Sequence, residues 1–115
     1  MANLGTVTRG DTEVISLAVK NADGAARNIT TDTLKFTIKL SPYSGGYVVQ
    51  KLSTGGTPGI VKTNAATGLA EVTLLPADLA GLTKEATLYA DIEVTDSTGK
   101  VATTPYTLNF ILDIS

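Results

Sequence analysis

The sequence predicts an all-β fold, an antiparallel β-sandwich of seven to eight short strands with one short helical turn. Two observations carry this prediction. Apolar and polar residues alternate with a period of two along several segments, and turn-forming residues separate those segments at short intervals. Such alternation buries one face of a strand and leaves the other in water, as in antiparallel sheets. Short strands at regular spacing are typical of a sandwich.

The clearest alternation is Leu-Lys-Phe-Thr-Ile-Lys-Leu at residues 34–40, where every even-numbered residue is apolar and every odd-numbered residue is polar. Residues 87–95 and 106–114 repeat the pattern, with Ile111 as the single outward apolar residue of the last segment. Further strands are predicted at 12–20, 47–52 and 69–75, and brief ones at 6–8 and 60–63. We expect the core between the two sheets to include Phe36, Ile38, Leu88, Ile92, Leu108 and Phe110.

Turn chemistry separates the predicted strands. Asn21-Ala22-Asp23-Gly24 follows the first long strand, and Asp96-Ser97-Thr98-Gly99 joins the last two as a tight hairpin. Residues 76–82 predict one helical turn, because Pro stands at its first position and Gly near its end. No repeat or linker interrupts the chain, so residues 1–115 are predicted to form a single domain.

The composition excludes several classes of function. Cysteine and histidine are both absent, which removes the thiolate nucleophile, the imidazole proton shuttle and the usual transition-metal ligands. We therefore expect no enzyme activity, no metal, no cofactor and no small-molecule substrate. A net charge of −2 lacks the basic footprint of a nucleic-acid partner. The N-terminus resembles no signal peptide, and no segment is apolar enough to predict a membrane span.

Two short motifs invite a functional interpretation. Arg9-Gly10-Asp11 spells an integrin-binding tripeptide, but we expect a turn at Gly10, with Asp11 hydrogen-bonded to the backbone just before a strand. Asp91, Glu93 and Asp96 are carboxylates of the kind that binds calcium. The alternation places Asp91 and Glu93 on one outward face without a dense ligand loop, which favours a solvated acidic face.

Protein contacts are the remaining chemistry that the surface offers. Only 17% of residues are charged, and sparse charge favours a surface partly covered in an assembly. Tyr43 and Tyr47 flank a glycine pair, and exposed tyrosine is enriched at interfaces; alternatively, both rings merely cover the sheet edge. Ile111 faces outward on a last strand that the brief first strand covers little, which leaves an open edge. We predict Tyr43, Tyr47 and Ile111 as interface residues.

The order of the motifs resembles the immunoglobulin-like domains of tailed-bacteriophage virion proteins, and is most similar to the N-terminal domain of phage baseplate upper proteins. The resemblance covers nearly the whole chain. It is carried by Arg9-Gly10-Asp11-Thr12 before a long strand, by the Asp23-Gly24 turn, and by the late hairpin in which Tyr89, Glu93 and Asp96 precede Gly99.

The resemblance implies an immunoglobulin-like sandwich and a non-enzymatic structural or assembly module of a phage virion. The tail or the baseplate is the expected location, with other virion proteins and further copies of the chain as partners. Two alternatives remain open. One is a capsid decoration or head-associated protein, and the other is an adhesion domain that binds a host surface glycan or receptor.

Overall fold

A computed structural model of the chain describes residues 2–41, 46–53 and 59–112. They form eight strands and two 3-10 turns, the latter at Ala65–Thr67 and Pro76–Leu79. Within these ranges, no helix is long and apolar enough to cross a membrane. The strands are β1 (Ala2–Thr8), β2 (Glu13–Ala18), β3 (Thr33–Lys39), β4 (Val49–Leu52), β5 (Ile60–Asn64), β6 (Leu69–Leu74), β7 (Ala86–Thr95) and β8 (Val101–Ile111).

The strands form two sheets, as the sequence predicts for a sandwich. The large sheet has the order β1-β8-β7-β3-β4, and the small sheet has the order β2-β6-β5. Five of the six strand pairs are antiparallel, including the β7–β8 hairpin, which is paired from Ala86–Phe110 to Thr95–Val101. The sixth pair, β1 with β8, is parallel.

The parallel pair corrects the expectation that the last strand leaves Ile111 on an open edge. β1 runs beside β8 from Ala2, opposite Tyr106, to Thr8, opposite Ile111. It is longer than the brief strand that the sequence predicts at residues 6–8, because a register shift between Asn3 and Thr6 interrupts the alternation that would have marked the earlier residues as a strand. One edge of the large sheet is therefore β1. The strand that carries Ile111, β8, has a neighbouring strand on each side.

The core lies between the two sheets and consists of the inward residues of both. Alternation decides which residues these are, since successive side chains of a strand point to opposite faces. All six residues predicted from the even-numbered pattern are buried, and none exposes more than 1% of its surface. They are Phe36, Ile38, Leu88, Ile92, Leu108 and Phe110.

Two residues of the 34–40 segment depart from the predicted pattern. Leu40 is 58% exposed, because β3 ends at Lys39 and the sheet no longer directs the next side chain inward. Thr37 points outward but is buried, because β3 is a central strand whose neighbours cover it from both sides. Gln50 on β4 donates to the Thr37 hydroxyl over 3.4 Å.

A close backbone approach connects the start of β6 to the segment that leaves β2. The Val19 N–H donates to the Gly68 carbonyl over 2.8 Å, and the Arg27 N–H donates to the Val19 carbonyl over 3.0 Å. Gly68 has φ +78°, and a Cβ there would lie 2.4 Å from the Val19 oxygen. Only glycine adopts this positive φ without strain and also leaves room for the Val19 carbonyl oxygen.

One ion pair joins the two sheets at the side of the sandwich. Asp78, in the 3-10 turn that follows β6, accepts from the Leu75 N–H over 2.7 Å and lies 2.9 Å from Lys51 Nζ on β4. The Leu75 bond explains why the turn predicted at residues 76–82 begins at Pro76. The same carboxylate thus caps the turn and neutralises a lysine on the inward side of the large sheet.

We expect Phe110→Ala to lower the free energy of unfolding by about 3–5 kcal/mol, because it leaves a cavity between the sheets. The neighbouring Ile111 is 38% exposed, so the matched control Ile111→Ala should cost no more than about 1 kcal/mol. Urea unfolding followed by circular dichroism measures both. Equal costs for the two variants would show that the register of β8 is wrong.

We expect Gly68→Ala to destabilise the protein by more than Gly24→Ala. Both glycines have positive φ, so either alanine incurs backbone strain of about 1–2 kcal/mol. Gly24 has open space around the added Cβ, whereas Gly68 meets two backbone oxygens. Thermal unfolding of the two variants should therefore separate strain from steric clash, and similar melting temperatures would contradict the close approach at Gly68.

Candidate interaction surfaces

The outward side of the small sheet is the least charged broad surface among the described residues. We call it the small-sheet face, and define it by the outward residues of the three paired strands. Three of them are large apolar side chains that remain 42–62% exposed, and the only charged one is Glu71. The face consists of Val14, Ser16 and Ala18 on β2, Leu69, Glu71 and Thr73 on β6, and Val61 on β5.

The register of the small sheet brings these residues together from distant parts of the sequence. Val61, Glu71 and Ser16 lie in one row across the three strands. Leu69 lies opposite Ala18 in the next row. An exposed apolar group of this kind on a sheet is typical of a protein-contact site. The sequence alone does not predict this face, because each of the three strands contributes only one large exposed apolar residue to it.

The outward side of the large sheet is polar by comparison. It carries Lys35 and Lys39 on β3 and Asp91 and Glu93 on β7, which are directly paired strands. Lys35 Nζ lies 3.5 Å from Glu93 Oε1, and both side chains are about one-third exposed. Charges of both signs keep this face solvated, and an exposed pair of this kind contributes little to stability.

Two of the predicted interface residues, Tyr47 and Ile111, lie on different parts of the large sheet. Tyr47 is 60% exposed just before β4. Ile111 is exposed on the outer face of β8, opposite Thr8. Tyr43 lies outside the described residues. The exposure of Tyr47 and Ile111 agrees with the predicted contact role, which stays a prediction.

The Arg9-Gly10-Asp11 segment forms the tight turn between β1 and β2. Gly10 has φ +91°, and the Asp11 N–H donates to the Thr8 carbonyl over 3.2 Å. The side chain that accepts a backbone N–H here is Glu13, from Thr8 over 3.3 Å, and not Asp11 as expected. The Arg9 guanidinium donates to the Ala80 carbonyl over 3.0 Å, so the arginine is held against the protein instead of being presented in an extended loop.

The three acidic residues near the hairpin have separate roles. Asp91 and Glu93 point outward from β7, while Asp96 shapes the hairpin turn. Among the described residues, no three acidic side chains come close enough together to hold a metal ion. The Thr98 hydroxyl donates to Asp96 Oδ1 over 2.6 Å, and the N–H groups of Thr98 and Lys100 donate to the same oxygen over 2.9 Å each.

These donors hold the pKa of Asp96 below its ordinary value of 3.8, with the Thr98 hydroxyl as the largest cause. A lowered pKa means that the ionised carboxylate supports the folded turn. That support is present above the ordinary pKa and is lost as the pH falls through the folded value, in the window below 3.8. Asp96 is therefore a structural residue of the turn.

A polar cleft of about 350 Å³ lies at the end of the sandwich beside this turn. It is lined by amide, guanidinium, ammonium and carboxylate groups, and its lining residues are Asn21, Arg27, Asn28, Asp96, Lys100 and Ala102. Arg27 Nε donates to the buried Asp32 over 3.0 Å, so the guanidinium is fixed in place. Lys62 Nζ donates to the backbone carbonyl of the same Asp32.

A second groove, of about 550 Å³, is more apolar. It lies where β1 and β8 end and where the 3-10 turn follows β6, and Arg9, Gly10, Pro76, Ala77, Ala80 and Leu112 line it. The described residues that line the two concavities include no serine, threonine or cysteine nucleophile.

The comparisons with known proteins concern the fold. No family model matches the chain, and no curated protein matches its sequence. CopC from Methylosinus trichosporium OB3b is similar in structure over 100% of this chain and 89% of that chain, with a TM-score of 0.50 and 10% sequence identity. Murine CRIg is similar over 98% of this chain and 95% of that chain, with a TM-score of 0.48 and 9% identity.

At 10% identity, the likeness to CopC shows the fold alone. Together with the two-sheet topology, it defines the chain as an immunoglobulin-like β-sandwich, the fold that the sequence predicts. A fold of this class hosts many functions, so the function has to be argued from the surfaces.

We expect Thr98→Ala to raise the pKa of Asp96 toward its ordinary value, because the substitution removes the strongest donor to the carboxylate. Side-chain carboxyl shifts in an NMR titration report the midpoint. Ser97→Ala, in the same exposed turn, is the matched control and should leave the midpoint unchanged. If the Asp96 midpoint does not change in Thr98→Ala but shifts when calcium is added, Asp96 is a cation ligand instead.

Proposed function

We propose that this chain is a non-enzymatic assembly module that works through protein–protein contacts in the tail or baseplate of a bacteriophage virion. The observation that carries the contact role is the small-sheet face, where Val14, Val61 and Leu69 are exposed around a single charge, Glu71. Exposed apolar surface is costly in water, and an assembly partner that covers it gains that free energy.

The absence of catalysis is part of the proposal. The chain has no histidine and no cysteine. Several of its acidic side chains are engaged in structure: Asp32 pairs with Arg27, Asp78 with Lys51, and Asp96 with its own turn. These carboxylates serve the fold, and the proposed contacts use shape, apolar area and hydrogen bonding.

The virion location rests on the resemblance of the turn and strand motifs to phage immunoglobulin-like domains. The sparse surface charge supports it, because a lightly charged module is soluble and stable mainly when neighbours cover it. In a symmetric particle, many modest contacts add up through avidity. A small interface on each copy would therefore suffice.

An adhesion role is the second candidate, and the polar cleft favours it. The amides of Asn21 and Asn28, the fixed Arg27 and the Asp96 carboxylate offer donors and acceptors at one site. Sugar hydroxyl groups use both kinds of partner. An isolated domain that binds host glycans through this cleft would act on the cell surface instead of inside an assembly.

We expect purified chain to incorporate into particles assembled without it, and Val61→Glu to weaken incorporation by about tenfold or more, because the new carboxylate would be buried in the contact directly opposite Glu71 and without a cation. Val101→Glu is the matched control, since Val101 is 50% exposed on the outer face of the large sheet. Quantitative electron microscopy of labelled particles measures occupancy and shows whether label lies on the tail, the baseplate or the head.

The outcome separates the candidate functions. Label on the head would replace the tail assignment by a capsid decoration role. A wild type that never associates with particles, together with glycan binding that Asn28→Ala abolishes, would favour the adhesion role. In the same assay, Tyr47→Ala and Ile111→Lys test the predicted interface residues. Each substitution should reduce particle occupancy if a neighbouring protein covers the residue.

A further inference from the structure

The exposed edges of the two sheets differ in how they resist pairing with another chain. Edge strands expose unpaired backbone groups, and proteins protect them with irregular pairing, inward charges, proline or short length. Three edges are protected in this way. β1 shifts register between Asn3 and Thr6, β5 shifts register between Lys62 and Asn64, and β4 has only four residues and includes the charged Lys51.

The edge strand β2 is the least protected, since its one inward charge is Glu13 at its first residue. It pairs with β6 without interruption from Glu13, opposite Leu74, to Ala18, opposite Leu69. Its sequence, Glu-Val-Ile-Ser-Leu-Ala, contains no proline and no charge after the first residue. Among the described residues, no strand pairs with its other edge. Even β8, where it extends past β1, carries Pro105 on its free side.

The backbone groups that β2 offers at this edge follow from the pairing. The Val19 N–H donates to Gly68 on the β6 side, and the direction of these groups alternates along an antiparallel strand. The N–H and carbonyl groups of Val14, Ser16 and Ala18 therefore point away from β6. Within residues 2–41, 46–53 and 59–112 no hydrogen bond is made to these groups, and they form a regular row of donors and acceptors centred on Ser16.

The charges beside β2 suit a second copy in the antiparallel direction. Asp11 and Glu13 lie at the beginning of the strand, and Lys20 lies just beyond its end. When two copies run antiparallel with Ser16 opposite Ser16, Lys20 of each copy falls opposite Thr12 of the other on the outward face, while Glu13 points to the inward face. The basic end of each strand then lies beside the acidic end of the other, and no like charges are directly opposed.

We propose that two copies of the chain pair through β2, antiparallel and with Ser16 on the two-fold axis, and join their small sheets into one six-stranded sheet. In this arrangement Val14 of one copy lies beside Ala18 of the other, so the two small-sheet faces become one continuous surface. The inference rests on the proposed assembly function and deepens it, because it names a second copy of the chain as one partner and defines the contact.

Cysteine cross-linking tests the axis directly, since the natural chain has no cysteine. Directly opposed residues in an antiparallel pair have Cα atoms about 5.5 Å apart, within the range that a disulfide spans. Ser16→Cys should therefore form an intermolecular disulfide readily in mild oxidant. Val61→Cys lies in the same row but two strands away, which places the two copies of residue 61 about 24 Å apart across the joined sheet. This control should not cross-link at a comparable rate.

Sedimentation equilibrium of the purified chain tests the dimer without a cross-link. We expect the wild type to approach twice the 11.9 kDa mass of one chain as its concentration rises. Ser16→Lys should abolish the dimer, because two lysines would face each other at the axis, while Ser16→Thr should keep it. Equal melting temperatures of the dilute monomers would show that both variants fold.

Three results would overturn the proposal: a wild type that stays monomeric throughout, a dimer that survives Ser16→Lys, or a Val61→Cys variant that cross-links as fast as Ser16→Cys. These results would leave the proposed assembly function standing if purified chain still entered particles through the small-sheet face. Conversely, a β2 dimer that never enters a particle would uphold this contact and remove the assembly role.

Discussion

Water must be excluded from a single layer of side chains between two sheets, and the rest of the structure depends on that constraint. Phe36, Leu88, Ile92, Leu108 and Phe110 fill the layer from the large sheet, and β2, β5 and β6 cover it from the other side. Because side chains alternate along a strand, a slip of one residue would move the whole apolar set of that strand into water. The core therefore fixes the register, and the register decides which residues reach the surface.

The position of β1 connects the core to the assembly surfaces. By pairing in parallel with β8, β1 closes the end of the large sheet and places Val7 in the core. In the part of the chain that the structure describes, β2 therefore has no neighbouring strand on its outer side, although β1 leads directly into it through the Arg9-Gly10-Asp11 turn. The small sheet is thus narrow, lightly charged on its face and open at a regular edge. These properties of the small sheet arise because β1 pairs in the large sheet and not with β2.

The ionisable groups of the chain mostly serve the architecture. Asp78 links the two sheets through Lys51, Asp32 fixes Arg27 between β2 and β3, and Asp96 closes the β7–β8 hairpin. Partly buried acids need such partners, since an unpaired charge in a low-dielectric site is costly. Each of these three acids therefore has a structural role. The surface that remains is suited to contacts between proteins, which is the physical basis of the proposed function.

Local pattern was enough to predict the fold class, most of the strands, the β7–β8 hairpin and the core positions from Phe36 to Phe110, because alternation and turn residues act within a few residues of the chain. The exposure of Leu40 and the burial of Thr37 were decided by where β3 ends and by which strands flank it. The small-sheet face was also decided by tertiary structure, since Val14, Val61 and Leu69 lie on three different strands and share one face only through the β2–β6–β5 register. Strand pairing depends on long-range contacts throughout the core. For this reason the sequence alone determined which residues each strand buries, whereas only the folded structure determined which strands are neighbours.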